Sequence, residues 1–201
     1  TVTLSGHPSV SAKPLYLSVG FIIEEGFPLS DLEEIVKTMA EEAKKANVLI
    51  VTGDTKVVDK GKADKIFINT SGIGILDKKH IPISNGENVG FGDKIIINGS
   101  IGDHGMTIMS ARNELNIRAQ IESDCACLNH LIAEILDSGA KVKFMRDATR
   151  GGVATVLTEL VEKRKYGLEI RESDLVVKEG VRGMCELLGF DPLYVANEGK
   201  V

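Results

Sequence analysis

Four short stretches of this chain combine side chains that can do chemistry. In Val51-Thr52-Gly53-Asp54-Thr55-Lys56-Val57-Val58, a carboxylate, a hydroxyl and an ammonium interrupt an apolar run. Asp54 can hold a hard cation through oxygen, and Lys56, two positions on, would share its face in a strand and reach toward a phosphate. The same residues also suit a Gly-Asp turn between two strands, with Lys56 left in water. In Arg146-Asp147-Ala148-Thr149-Arg150-Gly151-Gly152, a strand-like run opens into a helical pattern. Free N–H groups at such a helix start attract anions, by about 0.3–1 kcal/mol when exposed. That is too little to hold a polyphosphate alone, and Asp147 between two arginines equally suits a helix cap with a local ion pair. In Gly99-Ser100-Ile101-Gly102-Asp103-His104-Gly105, His104 can donate to an oxyanion or relay a proton near neutral pH, while Asp103 also suits an ordinary cap. Asn197-Glu198-Gly199-Lys200 sets a carboxylate, Glu198, on a turn.

The remaining reactive side chains form no such pattern. His7, His80 and His130 have no metal-ligand spacing. Cys125, Cys127 and Cys185 leave one thiol over in any pairing, and a Cys-x-Cys pair is narrower than common zinc spacings. Reduced thiols in a cytoplasm account for them, with Cys125 and Cys127 packed on one helix face. The chain has neither G-x-x-x-x-G-K-[ST] nor G-x-G-x-x-G, which disfavours P-loop and Rossmann nucleotide binding.

These stretches need elements to position them. From Ser30, Leu32, Ile35, Val36, Met39, Ala40 and Ala43 recur at helical spacing. Ser30 with Glu33 reads as a capping box, and Asn47 as a left-handed stop. Strands are expected at 15–23, 48–58 and 65–76, giving a sheet with one helix. The polar, Gly-bearing stretch 84–93 reads as a connection, so residues 1–83 form one domain and 84–201 a second. There, a buried strand is expected at 94–99 and further strands at 142–145 and 168–170. Helices are expected at 105–115, 124–136, 153–164 and 179–188, the clearest carrying the stripe Val153, Val156, Leu157, Leu160, Val161. The class is therefore α/β or α+β.

With 201 residues, 43% hydrophobic and 26% charged, the chain can bury a sizeable core. Its 24 Lys+Arg against 29 Asp+Glu, net −5, disfavour general attraction to nucleic-acid backbone. No apolar run approaches the roughly 20 residues that span a bilayer, so neither a nucleic-acid nor a membrane partner is expected. A first residue other than Met and an end at Val201 in an apparent strand entry suggest an incomplete chain.

The runs AKPLYLS, GFIIEEGFPL, IVTGDTKVV, FINTSGIG, GDHG, SDCA, RDATRGG and CELLGFDPLYVANEGK together resemble the HypE family of hydrogenase maturation proteins, carbamoyl dehydratases of the PurM-like ATP-binding superfamily. The resemblance spans about residues 12–201. It implies a two-domain architecture, incomplete at both ends here, with an N-terminal sheet that pairs with a second subunit's into a barrel, hence a homodimer, and a C-terminal α/β domain. It implies ATP with Mg²⁺, used to dehydrate an S-carbamoyl group on the family's C-terminal cysteine to a thiocyanate. The cyanide then goes to the iron of [NiFe] hydrogenase, with HypF as carbamoyl donor and the HypC–HypD complex as acceptor. Carried over, Asp54 and Asp147 become metal or phosphate-site carboxylates, Thr55 a neighbour in the nucleotide site, and Lys56 a phosphate clamp. Thr149, Arg150, Gly151 and Gly152 become the phosphate-binding turn, and Lys56, His104 and Glu198 the catalytic set. Two departures stand out: 3–11 reads TLSGHPSVS where the family has an Asn-Asp pair, and the Pro-Arg-Ile-Cys tail is missing. The superfamily's selenophosphate and aminoimidazole-ribotide synthetases, and a silent docking fragment, are the alternatives.

Overall fold

The computed structural model describes residues 11–112, 121–162 and 164–201, so the expected departure at 3–10 and His7 lie outside it. The described chain divides into two compact units, residues 12–77, and Ser11 with residues 78–201.

The first unit contains strand β1 (Lys13–Glu24), helix α1 (Leu29–Lys45), and strands β2 (Leu49–Val58) and β3 (Ile66–Ile75). The sheet order is β2-β1-β3, with β1 parallel to β2 and antiparallel to β3. Alternation puts Leu17, Val19 and Ile23 of β1 on one face, and all three are buried. Helix α1 turns Leu32, Ile35, Met39 and Ala43 inward, while Val36 and Ala40 of the expected stripe stay exposed. Ser30 lies inside α1; its hydroxyl donates to Asp31 Oδ1, and Pro28 takes the cap position with no side-chain bond, so the capping box does not form. Asn47 does end the helix, at φ 53. The Asn47 N–H donates to Lys44 O and the Val48 N–H to Ala43 O, paired bonds that turn the chain into β2.

The second unit holds α2 (Ile81–Asn85), α3 (Asp103–Ala111), α4 (Asn129–Asp137), α5 (Gly152–Val161) and α6 (Glu179–Leu188). Short 3₁₀ turns at Lys78–His80, Glu172–Asp174 and Pro192–Tyr194 complete it. One buried cluster joins Met106 of α3 to Val181, Met184 and Cys185 of α6 and to Val195. Another joins Ile83, Leu128, Ile132 and Met145. The α5 stripe is buried or half-buried as its periodicity predicts.

No strand forms among the described residues of this unit. The segments expected as strands at 94–99, 142–145 and 168–170 carry no strand ladder, and a strand is stable only when its N–H and C=O groups find one. Ile95 and Ile96 of the first are accordingly exposed, not buried. The expected helix at 124–136 starts only at Asn129. Ahead of it the Ser123 hydroxyl accepts the Cys125 N–H, a local bond that competes with helical pairing. Cys125 and Cys127 therefore do not share a helix face, and Cys125 is exposed. The expected helix end at Leu115 lies outside the described residues, α3 running from Asp103 to Ala111.

Candidate functional site

Strand β2 runs unbroken through Gly53 and Asp54, so the Gly-Asp turn is not formed. Gly53 is needed for another reason: a Cβ there would stand 2.9 Å from Val19 O of the neighbouring strand. The register Asp54–Gly20–Asn69 places Asp54 on one sheet face beside a residue without a side chain, and Lys56 follows on the same face, paired with Ile22. Thr52, Ser18 and Ser71 form the adjoining row on that face. Thr55 points to the opposite face, and its N–H donates to Asp54 Oδ1 (2.9 Å). Asp54 and Lys56 are thus brought together, while Thr55 contributes backbone. Asn69 and Ser71 complete a polar patch that spacing alone does not reveal.

In the second unit Asp147 does not cap α5. The cap is Gly151, with no side-chain hydrogen bond, and the Gly152 N–H donates to Thr149 O (3.1 Å). Asp147 is buried and its Oδ2 accepts the Thr149 hydroxyl (3.1 Å). Arg146 pairs with Glu159 at 3.0 Å, not with Asp147, and Arg150 is exposed. Gly151 and Gly152 take φ 74 and 62, and a Cβ on Gly152 would strike the carbonyl oxygens of Leu193 and Val195. Gly152 is thereby required where the turn meets residues 193–195, and Gly151 where it meets the Thr155 side chain.

Asp103 is likewise no cap. It is the first residue of α3, fully buried, and its Oδ2 accepts from Ser100 Oγ (2.6 Å) and Lys178 Nζ (2.7 Å). That hydrogen bond raises the Lys178 pKa above its ordinary value. His104, next along, is half-buried with Nδ1 2.9 Å from Ser123 Oγ. Glu198 is held through its backbone, its N–H donating to Asp124 Oδ1 (3.1 Å), and Lys200 Nζ lies 3.1 Å from the other oxygen of that buried carboxylate. His104 and Glu198 are therefore fastened to the consecutive residues Ser123 and Asp124.

Asn197 links these loops. It is 0% exposed; its Oδ1 accepts the Gly102 N–H (2.8 Å) and its Nδ2 donates to Ala148 O (2.9 Å) and Val195 O (3.1 Å). One amide thus binds the turn before His104 to the turn after Asp147. Asn197, Ser123, Asp124 and Lys200 fall within the motifs noted above, but their bonding roles are not legible there because their partners lie far away in sequence, 95 residues for Asn197 and Gly102. Among the described residues, no group of three or more His, Cys, Asp or Glu is placed to hold a metal ion, and no helix is long and apolar enough to cross a membrane.

A βαβ sheet unit is followed by a helical unit whose α5 starts on two glycines, and the sequence of both units matches the AIR synthase related family. The chain belongs to that family: its N-terminal domain matches residues 2–76 and its C-terminal domain residues 90–201. Within the family it is similar to the carbamoyl dehydratase HypE of Azotobacter vinelandii, 46% identical over 200 residues, covering 99% of this chain and 58% of that one. Among solved structures, a HypE–HypF complex superposes with TM-score 0.85 at 54% identity, covering 94% of this chain and 62% of that chain. HypE in complex with ATP gives 0.86 at 46% identity, covering 94% and 56%. The resemblance carried by the motifs is borne out, and the chain spans a little over half the length of these relatives.

Proposed function

We propose that this chain is the nucleotide-handling body of a carbamoyl dehydratase, which dehydrates an S-carbamoyl group on a C-terminal cysteine to a thiocyanate at the expense of ATP. The cyanide is destined for the iron of [NiFe] hydrogenase. The observation that carries the proposal is the Asn197 hub. It ties the turn before His104 to the turn after Asp147 that leads into α5, and lies next to Glu198 in the chain. The relatives' names supply the reaction; HypE is a carbamoyl dehydratase in Azotobacter, and a HypE binds ATP.

The residues present suit a magnesium nucleotide. Asp54 and Asp147 offer hard carboxylate oxygens, the donors Mg²⁺ prefers, and the uncapped start of α5 offers N–H groups to a phosphate. When bound, ATP supplies the phosphoryl group that turns an amide oxygen into a leaving group. The chain's residues then position and neutralise. Lys56 is assigned to clamp phosphate; Thr149, Arg150, Gly151 and Gly152 are assigned as a phosphate-binding turn; Thr55 holds Asp54 in place through its N–H. His104 and Glu198 are assigned to accept the two protons lost from the carboxamide nitrogen.

HypF is assigned as carbamoyl donor, a HypE–HypF complex having been crystallised, and HypC–HypD as acceptor. A homodimer is supported by the polar-patch face of the sheet, whose rim exposes Tyr16, Ile22, Leu49, Phe67 and Ile73 to water. A cytoplasmic location suits three free thiols.

Calorimetric titration with Mg-ATP tests the assignment. Asp54→Asn, Lys56→Ala and Asp147→Asn are each expected to weaken binding at least about tenfold, as the loss of a charge-assisted contact should. Equal affinity in all four proteins removes the site. Light scattering tests the dimer; a monomer at every concentration rejects it.

A further inference from the structure

We propose that Ser123 is a positioning residue for His104, holding Nδ1 so that Nε2 is the ring atom left to move a proton. This deepens the function proposed above and rests on His104 acting there. His104 is the second residue of α3, and Ser123 stands on the irregular segment ahead of α4, 19 residues later. Their contact, Oγ to Nδ1 at 2.9 Å, is a full-strength hydrogen bond.

Ser123 is itself fixed. Its oxygen accepts the Cys125 N–H at 3.3 Å and lies 3.2 Å from Cys125 Sγ, which is 3.7 Å from His104 Nδ1. The hydroxyl is therefore engaged by the His104 ring and by both the N–H and the Sγ of Cys125, within the irregular segment ahead of α4. The segment is anchored again at the next residue, where Asp124 takes the Glu198 N–H. A ring whose Nδ1 is held by such a group has its plane set, and only Nε2 remains for a reacting atom. The same short segment thus orients the imidazole and locates the carboxylate-bearing residue, the two groups assigned to proton handling.

Two measurements test this, one independent of turnover. With ¹⁵N-labelled histidine in the present chain, Ser123→Ala is expected to move the His104 Nδ1 resonance and its tautomer ratio while His80 and His130 keep theirs. Ser123→Thr, which retains the hydroxyl, is expected to restore both. An unmoved Nδ1 resonance in Ser123→Ala overturns the contact. In the complete S-carbamoylated protein, Ser123→Ala is expected to lower kcat about 10- to 100-fold with KM for ATP unchanged, less than the loss of about 10²–10⁴-fold expected for His104→Gln. Unchanged kcat, or a change confined to KM, overturns the positioning role. If His104→Gln turns over normally while Ser123→Ala still moves Nδ1, the catalytic use of His104 fails and the positioning role with it, and the hydrogen bond alone stands.

Discussion

Replacing Asn197 by alanine deletes the buried amide on which three loops converge, and the effect can be worked from its bonds. The Gly102 N–H loses its acceptor at 2.8 Å and Val195 O loses a donor at 3.1 Å, whereas Ala148 O keeps the Asn197 backbone N–H at 3.2 Å. An orphaned buried donor costs about 1–3 kcal/mol and an under-satisfied carbonyl somewhat less, so a loss of about 2–4 kcal/mol is expected. Native-state hydrogen exchange reads it at the bond itself. At about 1.4 kcal/mol per factor of ten, the Gly102 amide should exchange about 30- to 1,000-fold faster in the variant, with a parallel fall in urea resistance of the second unit. Asn85→Ala is the comparison, because its exposed amide reaches only Glu87, and it should stay within about 0.5 kcal/mol of the parent. Gly102 exchange within about threefold of the parent in Asn197→Ala would show that the amide is not the link assumed, since that change is below about 1 kcal/mol.

Three further outcomes follow from separate features. Gly152→Ala adds a Cβ against two carbonyl oxygens at a positive φ and should lower stability by about 2–4 kcal/mol, seen as a depressed melting temperature; a neutral result would contradict the packing. Iodoacetamide at pH 8 should label exposed Cys125 in the native protein but reach Cys185, whose thiol burial pushes up, only after urea, as mass spectrometry would reveal; equal labelling would contradict the burial. The N–H groups of Gly61 and Lys65 hold the Glu24 carboxyl below its ordinary value, so its stabilisation is present above the ordinary carboxyl range and is lost as pH falls through the lowered folded value. Urea unfolding of Glu24→Gln should therefore fall short of the parent at pH 7 and converge with it in acid, and a constant gap would reject the linkage.

What could be read from the sequence divides along physical lines. The first unit was legible because its strands and α1 are written in local periodicity, and because Asn47 tolerates the left-handed turn that its position demands. The α5 stripe and α6 were legible for the same reason. The extended segments of the second unit were not. Ile95 and Ile96 look like a buried strand by composition, but β structure depends on a partner that composition does not name. Asp103 and Asp147 were each equally readable as caps; only the coordinates show glycine in both cap positions and the two carboxylates turned inward. The Ser123–His104 contact joins residues that no local pattern relates.

The hub residues 195–201 also set the order in which the loops of the second unit can close. Gly102 waits for Asn197, Asp124 for Glu198, and Asn98 for Val201, closures of 95, 74 and 103 residues. The sheet unit closes within residues 12–77. On a ribosome the first unit can thus mature while the second still lacks its last clasp, and such long-range closures fold slowly. Assembly of the helical unit is accordingly the step most exposed to chaperones and proteases, because the turns bearing His104 and Asp147 are joined only once residues 195–201 have emerged.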